Sequence, residues 1–194
     1  QGVSSAASDV YKRQDQRPSE LNTHSVFAAA EHGAAVVFAT GRPLRWLDLL
    51  EVFTDVNPTV IASNGAVTYD LRNHRVISDT PFPIDVITDV VNDIASELPE
   101  AKFSLEEAQR CCVEPGFDRV DHGRPVTHRG PIREFLTPDS RPVKMLVRTF
   151  GIPTEELFEI VDGLVDGRVS TTFSVQLDLS LIHISEPTRL GMIS

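Results

Sequence analysis

The sequence predicts an α/β fold in two parts, a partial doubly wound core followed by an α+β domain. Three observations predict it. Two apolar runs, Val36-Val37-Phe38-Ala39 and Thr59-Val60-Ile61-Ala62, each end in hydroxyl, glycine or asparagine turn chemistry. That is the pattern of strands buried on both faces of a parallel sheet. A helical periodicity over residues 19–33 leads directly into the first run, giving the αβ half of a doubly wound unit. Pro81 and Pro83 then mark a boundary, beyond which short strand patterns interleave with two helices.

The first helix has Ser19 as its expected N-cap and Gly33 as its stop. Leu21, Ser25, Ala28 and Ala29 fall near one face, and Val26, Ala30 and Gly33 near the next. After the first strand, Pro43 opens an expected second helix over residues 43–53, with Leu44, Leu47 and Leu50 inward. Arg45, Asp48 and Glu51 face outward, and Trp46 reads as packing rather than as a binding platform. The second strand ends in Ser63-Asn64-Gly65-Ala66, where Asn and Gly tolerate positive φ and a sharp reversal is expected. A hairpin follows, with strands over residues 67–70 and 76–78 around Arg72-Asn73-His74.

The second domain opens with an amphipathic helix, Ile84, Ile87, Val91, Ile94 and Leu98 opposing Asp85, Asp89, Asp93 and Glu97. Strands are expected at 102–106, 111–114 and, alternating, at 142–148. A helix then starts at Pro153 or Thr154, with Leu157, Ile160, Val161 and Leu164 inward and Gly167 just past its end. Residues 169–177 close the pattern as a strand. Two helices among such strands predict an α+β sandwich with an antiparallel sheet on one side.

Composition narrows the function classes. At 194 residues the chain can bury a full core, and a formal net charge of −10 argues against a nucleic-acid partner. No apolar run is long enough to cross a bilayer, so no membrane partner is expected. No secretory-signal pattern opens the sequence, and the only two cysteines, Cys111 and Cys112, are adjacent, a poor disulfide geometry. The expected compartment is the cytoplasm.

The chemistry gathers where the first strand ends. Open α/β sheets hold ligands at the carboxyl ends of their strands. There Thr40 offers a hydroxyl, Gly41 allows close backbone approach and Arg42 offers a planar fork of donors, together a phosphate cradle. The first N–H groups of the helix at Pro43 would favour the same anion. On local pattern alone, these residues equally fit an ordinary turn after a strand.

Phe38-Ala39-Thr40-Gly41-Arg42-Pro43, followed some twenty residues on by Ile61-Ala62-Ser63-Asn64-Gly65-Ala66, resembles the haloacid dehalogenase (HAD) superfamily. More narrowly, it is similar to the Cof-type sugar-phosphate phosphatase branch. The resemblance implies a Rossmann-like HAD core, partial here over residues 15–80, and a C2-type α+β cap over 81–178. It implies a magnesium-dependent phosphatase acting on a small phosphorylated metabolite. An aspartate attacks the phosphoryl group, a second aspartate two residues on protonates the leaving oxygen, and Mg2+ and a lysine neutralise charge. It places Thr40 as the hydroxyl holding a phosphoryl oxygen, Gly41 as a backbone donor and Arg42 facing substrate. Asn64 and Gly65 fall at the core-to-cap crossing on the pocket rim.

The same resemblance exposes what this sequence lacks. No Asp-x-Asp occurs in it, so the nucleophile and the proton donor are missing. The lysine and acidic metal-binding motifs expected after the cap are missing too, and no metal ligand is expected in this chain. Lys144 lies in a cap strand and is no substitute. Asp162-Gly163 and Asp166-Gly167 fit a helix end. Residues 4–14 and 179–189 resemble translated sequencing-library adapters, so 1–14 and 179–194 are set aside as non-native. Two readings follow: a fragment of a HAD-type phosphatase that is itself inactive, or a non-catalytic α/β module binding a phosphorylated ligand through Thr40 and Arg42.

Other polar residues read more plainly. Arg119, Arg124, Arg129 and Arg133, with His122 and His128, make a basic loop that fits a solvated surface better than a substrate contact. A zinc site from His122, His128 and Cys112 lacks ligand spacing. Cys111 and Cys112 read as half-buried strand residues, and His24 and His32 as helix surface.

Overall fold

The computed structural model describes residues 18–117, 126–173 and 181–185. The chain divides into two units, Gln1–Asp79 and Thr80–Ser194. No helix among the described residues is long and apolar enough to cross a membrane. Adapter-like residues 4–14 lie outside the described residues, as do Asp15, Arg119, His122 and Arg124.

In the first unit, helix α1 (Glu20–Glu31) starts where the Ser19 side chain accepts a hydrogen bond from Asn22 N at 3.1 Å. It ends into Gly33 at φ +82°. Strand β1 (Val37–Ala39) pairs parallel with β2 (Thr59–Ala62), Phe38 opposite Val60. β2 continues antiparallel into β3 (Val67–Asp70) and β4 (Arg75–Asp79), giving the order β1-β2-β3-β4. The hairpin turn is held by Asn73 N donating to Asp70 Oδ1 at 3.0 Å, with Leu71 fully buried beneath it.

Three expectations need correction here. β1 is not buried on both faces: Val37 is 55% exposed. Among the described residues only β2 flanks it, so it is an edge strand and its alternate side chains lack cover. Helix α1 buries no side chain, because its small apolar residues spread around the cylinder instead of forming one stripe. The helix expected over 43–53 is two 3₁₀ segments, Leu44–Trp46 and Asp48–Val56. Bonds from Leu47 N to Leu44 O (3.1 Å) and from Leu50 N to Leu47 O (2.8 Å) tighten the winding. Leu47, Leu50 and Phe53 become the buried side, while Leu44 stays partly exposed. The Phe53 ring centroid lies 5.0 Å from that of Phe38 and 6.3 Å from that of Phe27, tying this segment to β1 and α1.

The second unit contains α2 (Ile84–Glu97), β5 (Lys102–Glu107), β6 (Cys111–Val113), β7 (His128–Arg129) and β8 (Pro142–Arg148). It continues with α3 (Thr154–Val165), β9 (Ser170–Phe173) and β10 (Leu181–Ser185). The strands form one sheet in the order β7-β6-β5-β8-β10-β9. Both helices lie on one face, where Ile87, Val91, Ile94, Leu157 and Val161 pack on Phe103, Leu105, Cys112, Met145 and Val147. Each such side chain contributes about 1.5–3 kcal/mol on leaving water. Asp166 supplies the left-handed C-cap of α3 at φ 46°, one residue before Gly167.

This sheet also differs from expectation. β6 and β7 pair parallel, Cys112 opposite His128, so the sheet is mixed. Within residues 179–194, expected to be non-native, Leu181–Ser185 pair antiparallel with both β8 and β9. Their Leu-Ile-His-Ile run has the β-branched character that strands favour. The closing strand expected over 169–177 is seen as Ser170–Phe173, and its remainder lies outside the described residues. Cys111 and Cys112 are both fully buried, on opposite faces of the sheet, because successive strand residues alternate.

Candidate functional site

The first unit brings the ends of β1 and β2 together. Thr40 N donates to Ile61 O at 2.8 Å, extending the parallel ladder by one step. Asn64 N then donates to Thr40 O at 3.3 Å, and Ser63 N to Arg42 O at 2.9 Å. Segments 40–42 and 61–64 are thus zipped at the carboxyl ends of two neighbouring parallel strands, where α/β sheets present ligand groups.

Local turn chemistry shapes each side. Arg42 N donates to Thr40 Oγ1 at 3.1 Å, a turn closed by the threonine hydroxyl. With an acceptor lone pair so engaged, the hydroxyl proton is what Thr40 can offer a ligand oxygen. On the other side Ser63, Asn64 and Gly65 take φ of 51°, 60° and 100° in succession. Gly adopts this freely and Asn tolerates it, but Ser63, 1% exposed, is strained, as residues beside ligand sites often are. The Asn64 carboxamide lies against the Cα of Gly41, where a side chain would overlap it.

Arg42 is only partly exposed, and its guanidinium carbon stands 5.7 Å from the centroid of the Trp46 ring. Arg45 approaches the same ring at 5.4 Å. The anion-favouring helix expected at Pro43 is a three-residue 3₁₀ turn, too short to align peptide dipoles. Thr40, Gly41, Arg42 and Asn64 therefore sit together, with Gly65 next in the chain. The crossing into the second unit is not at Asn64–Gly65 but after β4, because the β3–β4 hairpin first returns the chain to the same sheet. Two cavities of about 320 and 390 Å³ lie against α1 and are lined by neither Thr40 nor Arg42.

In the second unit, the sheet face turned from the helices carries polar residues that are buried. Glu106 is 2% exposed and faces Lys144, 4% exposed, across β5 and β8. Burial lowers the Lys144 ammonium to about 8, with the Glu106 carboxylate pulling the other way. Cys111 Sγ donates to Glu106 Oε1 at 3.5 Å. Arg148 is fully buried, donating from Nη1 to Phe117 O at 3.2 Å with its guanidinium 4.6 Å from the Phe150 centroid. Sequence alternation marked these positions as one face of a strand and gave no sign that the face is covered.

The remaining candidates separate. Arg133 donates from Nε and Nη2 to Asn92 Oδ1, and His128 stacks on Phe135 with centroids 5.8 Å apart. Burial pushes the Cys112 thiol up to about 11. No three His, Cys, Asp or Glu side chains among the described residues converge to hold a metal ion. These described residues do not fit a magnesium site.

The haloacid dehalogenase-like hydrolase family matches residues 12–183. A haloacid dehalogenase-like hydrolase from Bacteroides thetaiotaomicron superposes with a TM-score of 0.71 at 12% identity, covering 92% of this chain and 68% of that one. A HAD subclass IIB sugar phosphatase gives 0.69 at 16%, covering 89% and 64%. A haloacid dehalogenase-like hydrolase from B. subtilis gives 0.70 at 15%, covering 90% and 69%. At such identities the likeness is one of fold, and this chain spans about two thirds of the length of those proteins. No curated protein matched. With the family match running through both units and the fold agreeing, the chain belongs to the haloacid dehalogenase-like hydrolases.

Proposed function

We propose that this chain is part of a magnesium-dependent phosphatase acting on a small phosphorylated metabolite through an aspartyl-phosphate, and that it holds the phosphate-binding half of that site. The observation that supports this is the Thr40 turn. A hydroxyl oriented by the Arg42 amide closes a parallel strand and is tied by backbone bonds to the Asn64 reversal. Thr40 would donate to a phosphoryl oxygen, with the Gly41 amide and the Arg42 guanidinium as further donors and Asn64 and Gly65 bounding the site. One of the solved structures of similar fold is described as a sugar phosphatase, which fits a phosphorylated metabolite. Magnesium would be held by residues of the parent protein.

Because the sequence contains no Asp-x-Asp, the chain by itself has no nucleophile and turns nothing over. The same fact favours a second reading, a module that binds a phosphorylated ligand without transforming it. Two measurements test the first reading. The chain should bind inorganic phosphate in equilibrium dialysis while leaving p-nitrophenyl phosphate with Mg2+ unhydrolysed, and turnover at an ordinary enzyme rate would refute the inactivity. Reading the parent gene in frame upstream of Asp15 separates the alternatives: Asp-x-Asp-Gly-Thr there supports the enzyme, and its absence supports the binding module.

A further inference from the structure

Trp46 is the chain's single tryptophan, and it reads from sequence as packing. Its surroundings assign it more. Arg42 stands 5.7 Å and Arg45 5.4 Å from the centroid of the one indole ring, so two guanidinium groups share it. The backbone of Arg42 is already fixed on both sides, its amide on Thr40 Oγ1 and its carbonyl on Ser63 N. The backbone of Trp46 is fixed in turn, its amide N–H donating to Pro43 O at 3.0 Å. Contact with the ring therefore restricts the rotamers of the long Arg42 side chain, and less rotamer freedom is lost when its fork closes on an anion.

We infer that Trp46 is a positioning residue that pre-organises Arg42 for a phosphate dianion, and that its indole reports when the anion is bound. This rests on the phosphate-cradle reading of Thr40, Gly41 and Arg42. An indole face is a better cation partner than an aliphatic chain, and a phenyl ring keeps much of that character.

The test uses the full chain with inorganic phosphate as probe, its affinity measured by equilibrium dialysis and Trp46 emission followed in parallel. Wild type should bind, and emission should change with the same midpoint as dialysis. Trp46→Leu should bind about three- to tenfold more weakly, and Trp46→Phe should stay within about twofold of wild type. Circular dichroism confirms that each variant is folded. If Trp46→Leu does not fold, the wild-type emission titration and Trp46→Phe carry the test. Phosphate bound by wild type with silent emission, or with unchanged affinity in folded Trp46→Leu, overturns the positioning role and leaves the phosphate reading standing. Loss of affinity in Trp46→Phe equal to that in Trp46→Leu overturns it as well. No phosphate binding by wild type overturns the cradle reading and this inference with it.

Discussion

Gly41 and Asn64 share one volume: the Asn64 Oδ1 atom sits where a β-carbon on residue 41 would stand. Gly41 is absent from the positive-φ glycines, so its lack of a side chain serves close approach rather than backbone freedom. Gly41→Ala should therefore push the exposed Asn64 carboxamide aside. Because that group can rotate into solvent, the stability loss should stay below the about 1–3 kcal/mol of overpacking a closed core. Phosphate affinity should fall severalfold, because the carboxamide bounding the site is displaced while the amide of residue 41 is kept. Urea denaturation and equilibrium dialysis read the two effects. Asn64→Ala should restore the stability of Gly41→Ala if the overlap is the cause.

Thr40 has a structural bond and an offered proton, and the two can be separated. Thr40→Val keeps the shape of the side chain but leaves the Arg42 amide without its 3.1 Å acceptor. The expected loss is about 0.5–1.5 kcal/mol in urea denaturation, with phosphate binding reduced below detection. Thr40→Ser keeps the hydroxyl and should retain both properties within severalfold. Equal binding by the valine and serine variants would remove Thr40 from the site.

Ser19 offers a local check on the first unit. Its hydroxyl oxygen caps α1 through Asn22 N at 3.1 Å. Ser19→Ala should cost about 1 kcal/mol, concentrated in the first turn. Because α1 buries none of its side chains, little tertiary packing masks the loss. Hydrogen exchange at the Asn22 amide should quicken while the amides of β2 keep their protection.

The meeting of Thr40 and Asn64 was legible because two apolar runs stop at residues with only turn chemistry to offer. β1 and β2 are parallel neighbours with Ala39 opposite Ile61, so Thr40 and Asn64 had to emerge at one end of one sheet. The burial of β1 was not legible, since an apolar run does not say whether a strand lies on its far side. Trp46 was half read: its partial burial follows from its size, but its contact with two arginines depends on 3₁₀ winding in place of the expected α-helix. Lys144 was read as a strand residue, correctly placed. That its charged end is covered depends on residues distant in sequence, which alternation cannot report.

Lys144 allows a prediction whose sign follows from linkage. In the folded chain burial lowers its ammonium to about 8, against an ordinary 10.5 when unfolded. Between those values the unfolded chain holds the proton that the folded chain has released, so this contribution to stability rises with pH. Below about 8 it is flat and unfavourable. Cys112 acts in the opposite sense: its thiol titrates near 11 folded and near 9.0 unfolded, so its contribution falls as pH rises through that interval. A comparison of wild type with Lys144→Met cancels the Cys112 contribution, present in both, and isolates the lysine. Urea denaturation at pH 7, 8, 9 and 10 should show the rise in wild type relative to Lys144→Met. Removing the Glu106 carboxylate, the one influence that raises the ammonium, should move the onset of the rise below pH 8 in Glu106→Gln. Lys144→Met alone leaves that carboxylate buried without its facing cation, so it should be less stable at pH 7 than Lys144→Met/Glu106→Gln. A difference curve flat from pH 7 to 10 would show that water reaches the ammonium and that this face of the sheet is open.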